Sequence, residues 1–128
     1  MKKILIIEDH SDMRELLAWQ IELMGFMPIS AKQGKDGVDK AVAEKPELII
    51  MDSMMPCMDG WEAAREIRAH PETKDVPILA ATALFRDSDL KNCIDAGCND
   101  YIVKPFTFQE LQGKVRELIP STSTTYPL

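Results

Sequence analysis

The sequence alternates with a regular beat between short, unbroken apolar runs and longer amphipathic stretches, and that alternation leaves few architectures open. Ile4-Leu5-Ile6-Ile7, Leu48-Ile49-Ile50-Met51, Ile78-Leu79-Ala80-Ala81 and Tyr101-Ile102-Val103 are almost free of charge. Strands buried on both faces of a parallel sheet read this way, because neither face meets water. A fifth, weaker run, Phe26-Met27-Pro28-Ile29, carries a proline. Pro28 has no N–H to give to a ladder, which places this strand at a sheet edge.

The stretches between the runs have helical periodicity. Met13, Leu16, Leu17, Gln20, Ile21 and Met24 trace a mainly apolar face that stops at Gly25. Val38, Ala41 and Val42 form a shorter stripe ending before Pro46. Asp59 and Glu62 have the spacing of a capping box for a third helix, which ends before Pro71. Leu90, Cys93 and Ile94 precede Gly97 in a fourth. Thr107 and Glu110 form a full capping box ahead of Leu111, Val115, Leu118 and Ile119, and Pro120 stops that helix. Strands alternating with helices through short links predict an α/β fold, a doubly wound five-stranded parallel sheet with helices on both faces. The 128 residues suffice for one such domain, predicted over 1–119, with 120–128 as a short flexible tail.

In sheets of this kind ligands bind beyond the carboxyl ends of the strands. The first strand ends in Glu8-Asp9, the third in Asp52, the fourth in Thr82 and the fifth in Lys104-Pro105. Singly, each has an ordinary explanation, since chains turn polar where they reach solvent and acids cap helices. Jointly they gather three carboxylates, a hydroxyl and an ammonium at one end of the sheet. Clustered carboxylates repel unless cations compensate them. Mg2+ suits the set, being a hard ion that takes carboxylate, water and phosphate oxygens. His10 and His70 lack evident partners for a zinc or copper site, and His10 reads as part of the loop after the first strand.

The segments "IIEDH", "IIMDSMMPCMDG", "AAT" and "AGCNDYIVKPF", in this order and at these separations, resemble the receiver domain of two-component response regulators. The resemblance covers residues 2 to about 119. It implies a flavodoxin-like strand order 2-1-3-4-5. It implies that Asp52 accepts a phosphoryl group from a sensor histidine kinase or a histidine phosphotransfer protein. It also implies that Asp9, Asp52, the backbone carbonyl of Met54 and, mostly through water, Glu8 surround the magnesium ion. Lys104 would neutralise phosphoryl oxygens and Thr82 would hydrogen-bond one of them, while Tyr101 turns inward as Thr82 moves. Lys104-Pro105 matches the family's cis peptide, and X-Pro is the bond at which cis is accessible. Met54 and Leu84, both apolar, stand where the family's side chains can orient water, so slow autodephosphorylation is expected.

Other features narrow the function further. The net charge of -6, without a basic patch, disfavours direct contact with nucleic acid. No run is long enough for a signal-peptide core or a membrane span, and the expected compartment is the cytoplasm. Three cysteines without a CxxC pair outline neither a disulfide framework nor a zinc site. Cys57 reads as an ordinary thiol near the pocket, and the methionines of 51–58 as soft packing. An aspartate-nucleophile phosphatase of the haloacid dehalogenase type would want an acid at Met54. A flavin carrier would want a Ser/Thr/Gly-rich loop where Asp9-His10-Ser11-Asp12 stands. The expected role is a switch and not a turnover enzyme. The resemblance implies that the face of the fourth and fifth helices and the last strand changes on phosphorylation; the chain would dock to a downstream protein, pass its phosphoryl group on, or act as a piece of a longer regulator.

Overall fold

The structure, a computed structural model, describes residues 2–52, 60–83 and 87–119. Its elements run β1 (Lys3–Ile7), α1 (Ser11–Leu23), β2 (Met27–Ala31), α2 (Gly34–Glu44), β3 (Leu48–Asp52), α3 (Gly60–Ala69), β4 (Ile78–Thr82), α4 (Asp87–Asp95), β5 (Asp100–Val103) and α5 (Phe108–Leu118). The strands form one parallel sheet in the order β2-β1-β3-β4-β5. Both the alternation and the order match expectation, and Pro28 lies on the edge strand β2 as its missing donor requires.

The period of two along the strands divides the core into two layers. Leu5, Ile7, Ile49, Met51, Ile78 and Ala80 face one side, with residues of α2, α3 and α4. Ile4, Ile6, Leu48, Ile50, Leu79 and Ala81 face the other, under α1 and α5. Trp61, partly buried, rests against the first layer. The capping box of α5 forms as spaced: Thr107 Oγ1 accepts from the Glu110 N–H and the Glu110 carboxylate from the Thr107 N–H. Among the described residues no helix is long and apolar enough to cross a membrane.

Two helix faces are rotated from expectation. In α1 the buried stripe is Leu17, Gln20, Ile21 and Met24, while Leu16 is 44% exposed. Leu16, Trp19 (58% exposed) and Leu23 (53%) form a second apolar stripe at i, i+3 and i+7, turned to solvent. In α4 Cys93 is buried and Ile94, one position on, is exposed. In both helices apolar residues extend past the width that one sheet layer can cover, so the sheet takes the central ones and leaves the flank in water.

At the amino end of the sheet, opposite the predicted site, Arg68 ties three segments together. Its guanidinium donates to the carbonyls of Gly97 (3.0 Å), Thr73 (3.3 Å), Lys74 (3.1 Å) and Val76 (2.6 Å), and to Asn99 Oδ1 (2.7 Å). Asn99 Oδ1 also accepts from the Ile78 N–H at 2.8 Å, so the cluster sets the starts of β4 and β5. A flat fork with five donors does this and an ammonium cannot. Arg68→Met is expected to destabilise the domain by about 2–3 kcal/mol, less than the sum of its bonds because the freed carbonyls regain water. Arg68→Lys should recover little of that. Urea unfolding measures both; a loss below about 0.5 kcal/mol, the range of an ordinary surface change, would show the hub to be dispensable.

A candidate acidic metal and phosphoryl site

The register of the sheet builds this site. Ile7 pairs with Met51, Asp52 with Ala81 and Thr82 with Val103, so β1, β3, β4 and β5 end on nearly one line. Glu8, Asp52, Thr82 and Lys104 therefore meet at one rim. The Glu8 N–H donates to Ala31 O at 3.0 Å and the Lys104 N–H to Thr82 O at 2.8 Å, which extends the ladders one step past the strands. The peptide Lys104-Pro105 is cis.

The carboxylates are packed closely and mostly out of water. Glu8 is 1% exposed, Asp52 7% and Thr82 1%. Lys104 Nζ lies 3.4 Å from Glu8 Oε1 and 3.5 Å from Asp52 Oδ1, bridging the first and third strands. Arg14, from the first turn of α1, donates to the carbonyls of Glu8 (2.9 Å) and Asp9 (3.3 Å) and so fixes the backbone that carries the acidic pair. Tyr101 is half-buried against the layer that holds α4.

His10, read from the sequence as a loop residue without partners for a zinc or copper site, stands beside the acidic pair. The loop turns back on itself because the His10 N–H donates to Glu8 Oε2 at 3.2 Å. That brings Nδ1 within 3.6 Å of Glu8 Oε2 and of Asp9 Oδ1. Nothing in the sequence spacing announces this contact, and the same holds for Arg14, whose role depends on where the helix starts.

Oxygen or nitrogen atoms of Glu8, Asp9, His10 and Asp52 all lie within 4.8 Å of one another, the grouping that a metal ion needs. The fit to a hard divalent cation is supported from within: among the described residues Asp9 Oδ1 is buried without a hydrogen-bond donor, beside the carboxylates of Glu8 and Asp52. Met54 and Leu84, and with them the third magnesium contact and the expected shielding from water, lie outside the described residues, as do Cys57, Asp59 and the tail.

Burial raises the pKa of Glu8 above the ordinary carboxylate value. The charge of Asp52 acts in the same direction, and the His10 N–H and Lys104 oppose it. A folded-state pKa above the unfolded one means that folding favours the protonated acid. The stability this gives is complete below the ordinary glutamate range and is lost as pH rises through the raised value. Without a divalent ion, Glu8→Gln is therefore expected to melt above the wild type at neutral pH, with the advantage vanishing in acid. Magnesium should raise the melting temperature of the wild type more than that of the variant. Thermal unfolding across pH, with and without the ion, checks both; a variant less stable at neutral pH would contradict the direction.

Known proteins share this fold and sequence pattern. The family model of the response regulator receiver domain matches residues 4–116. "Probable transcriptional regulator ycf27" of Porphyridium aerugineum is 36% identical over 118 residues, 92% of this chain and 48% of that protein. "DNA-binding dual master transcriptional regulator RpaA" of Synechocystis is 35% identical over 122 residues, 95% of this chain and 51% of that protein. The chain thus spans about half the length of the curated relatives it matches. Among solved structures, the receiver domain of sensor histidine kinase PA1611 of Pseudomonas aeruginosa, with a magnesium ion in its active site cleft, superposes with a TM-score of 0.87 at 35% identity. It covers 94% of this chain and 98% of that one. Chemotaxis protein CheY4 of Vibrio cholerae gives 0.88 at 25% identity, covering 92% and 98%.

Proposed function

The chain belongs to the response regulator receiver domains of two-component signalling, and on that premise we propose that Asp52 is its phosphoacceptor. The donor would be the phosphohistidine of a sensor histidine kinase or of a histidine phosphotransfer protein. The observation that carries the reading is the position of Lys104 Nζ, 3.4 Å from Glu8 and 3.5 Å from Asp52, at a rim with more negative than positive charge.

Phosphoryl transfer asks chiefly for in-line positioning and for stabilisation of charge. Asp52, at the last position of a fully buried strand, has its carboxylate beside the Lys104 ammonium. Lys104 bridges two strands before transfer and is placed to meet the phosphoryl oxygens after it. Thr82, at the end of the neighbouring strand, would take one of those oxygens as a hydrogen-bond acceptor. Glu8, Asp9 and Asp52 would hold Mg2+, with Met54 O as a further contact. When bound, the ion would supply positive charge that offsets the carboxylates and the incoming phosphoryl group.

The product is an acyl phosphate left on the protein, which suits a switch and not a turnover enzyme. The phosphoryl group adds about -1.5 to -2 charges beside Thr82 and Lys104. Thr82 and Tyr101 would pass that change to the face of α4, β5 and α5, where a downstream protein docks; this domain itself would touch neither nucleic acid nor membrane. The cytoplasm, where histidine kinases present their donor domains, is the compartment that this reading requires.

Incubation with acetyl phosphate tests the reading by intact mass. One phosphoryl group should be gained with magnesium and none after chelation. A gain indifferent to the ion would remove the metal from the proposal, and no gain under either condition would remove the acceptor.

A further inference from the structure

Two cysteines close the turn after α4. Gly97 has φ 117°, its N–H donates to Ile94 O (3.0 Å), and the Cys98 N–H donates to Cys93 O (3.2 Å). This pair of bonds is the Schellman turn, which brings a residue of the last helical turn against the residue after the glycine. The end of α1 uses the same device. There Gly25 has φ 92°, the Gly25 N–H donates to Glu22 O (3.0 Å) and the Phe26 N–H to Ile21 O (3.2 Å). Its two facing residues, Ile21 and Phe26, are plainly apolar and sit in the core. At α4 the equivalent positions carry Cys93 and Cys98, 0% and 4% exposed. Apolar filling is all the turn needs, so thiols at both places add a chemistry that packing does not require.

The bond from the Cys98 N–H to Cys93 O sets the two free thiols side by side in one core cluster. Arg68 lies over the same turn, with Nε bonded to Gly97 O at 3.0 Å. We propose that Cys93 and Cys98 are a reversible redox site, closing an intrachain disulfide across the Gly97 turn by exchange with a small disulfide of the glutathione class.

Accepting the Cys98 proton donor holds the Cys93 thiol below its usual range, while the same bond and burial push Cys98 well above it. Cys93 loses its proton to solvent and attacks one sulfur of the small disulfide, forming a mixed disulfide and releasing one thiolate. Cys98 then gives its proton to that thiolate and attacks the Cys93 sulfur, releasing the second thiolate, which takes the first proton back. Two cysteine thiols are oxidised, and one small disulfide is reduced to two thiols. Because both sulfurs are buried, exchange waits on local opening of the α4 end. Once closed, the bond ties α4 to the start of β5, and Tyr101 packs on the same cluster.

The intact chain, equilibrated in reduced and oxidised glutathione at graded ratios, is quenched in acid, alkylated under denaturing conditions and mapped by peptide mass. The expected result is the loss of two alkylatable thiols, a peptide linking Cys93 to Cys98, and full return of both thiols with dithiothreitol. Thiols that remain reduced at the most oxidising ratio would overturn the proposal. So would a stable glutathione adduct at either cysteine, or a link to Cys57 in place of the expected one.

Discussion

Asp52→Asn is expected to take up no phosphoryl group from acetyl phosphate in magnesium, under conditions in which the wild type gains one. The substitution keeps the shape of the side chain and removes the nucleophile: an amide oxygen has neither the charge nor the lone-pair basicity to attack phosphorus. Fold should be unaffected, since Asp52 ends a strand whose ladder is made by the backbone. Magnesium affinity should fall as well, because one of three carboxylates is gone. Intact mass reads the first effect and magnesium-dependent melting the second. A variant phosphorylated as fully as the wild type would place the acceptor elsewhere and undo the assignment.

How far the sequence could be read depended on what kind of contact was at stake. β1, β3 and β4 were plain as unbroken apolar runs because both of their faces are buried, and Pro28 marked the edge because a missing donor has one tolerable place. The rim residues Glu8, Asp52, Thr82 and Lys104 were legible for a related reason: a parallel sheet brings the carboxyl ends of its strands together whatever the loops do. The phosphatase and flavin readings fell on residue identity instead, Met54 where an acid is wanted and Asp9-His10-Ser11-Asp12 where a phosphate loop is. Helix phase was less legible. Leu16 and Ile94 belong to apolar stripes wider than the layer beneath them, and only packing decides which flank faces water. Contacts set by the return of a loop or the reach of a long side chain left no trace in spacing at all. His10 folds back on Glu8, Arg14 grips the carbonyls of the acidic pair, and Arg68 spans from α3 to the turns before β4 and β5. The cysteines were missed differently: a search for CxxC does not register two thiols that meet only because Gly97 reverses the chain between them.

Lys104→Met should slow phosphorylation by acetyl phosphate about 10²–10³-fold, equivalent to about 2.7–4 kcal/mol, the loss typical of one preorganised charge-stabilising donor. The ammonium is held between Glu8 and Asp52 before any phosphoryl group arrives, so it needs no rearrangement to meet the charge that develops. Its backbone is equally fixed, through the N–H bonded to Thr82 O at 2.8 Å. Methionine keeps the length and apolar stem of lysine and removes only the charge and donors. Magnesium binding should survive the change and even strengthen, because the carboxylates of Glu8 and Asp52 lose their ammonium and a divalent ion gains that compensating role. These opposite directions separate a direct part in transfer from a general loss of structure, which would weaken both. Lys104→Arg should rescue only in part, its flat fork being shaped for two-point contacts and not for a single point between two carboxylates. Rates from stopped reactions by intact mass, set beside magnesium titrations followed by melting temperature, give the comparison. If Lys104→Met bound magnesium and still phosphorylated at the wild-type rate, the ammonium would be a structural counter-ion for Glu8 and no part of the reaction.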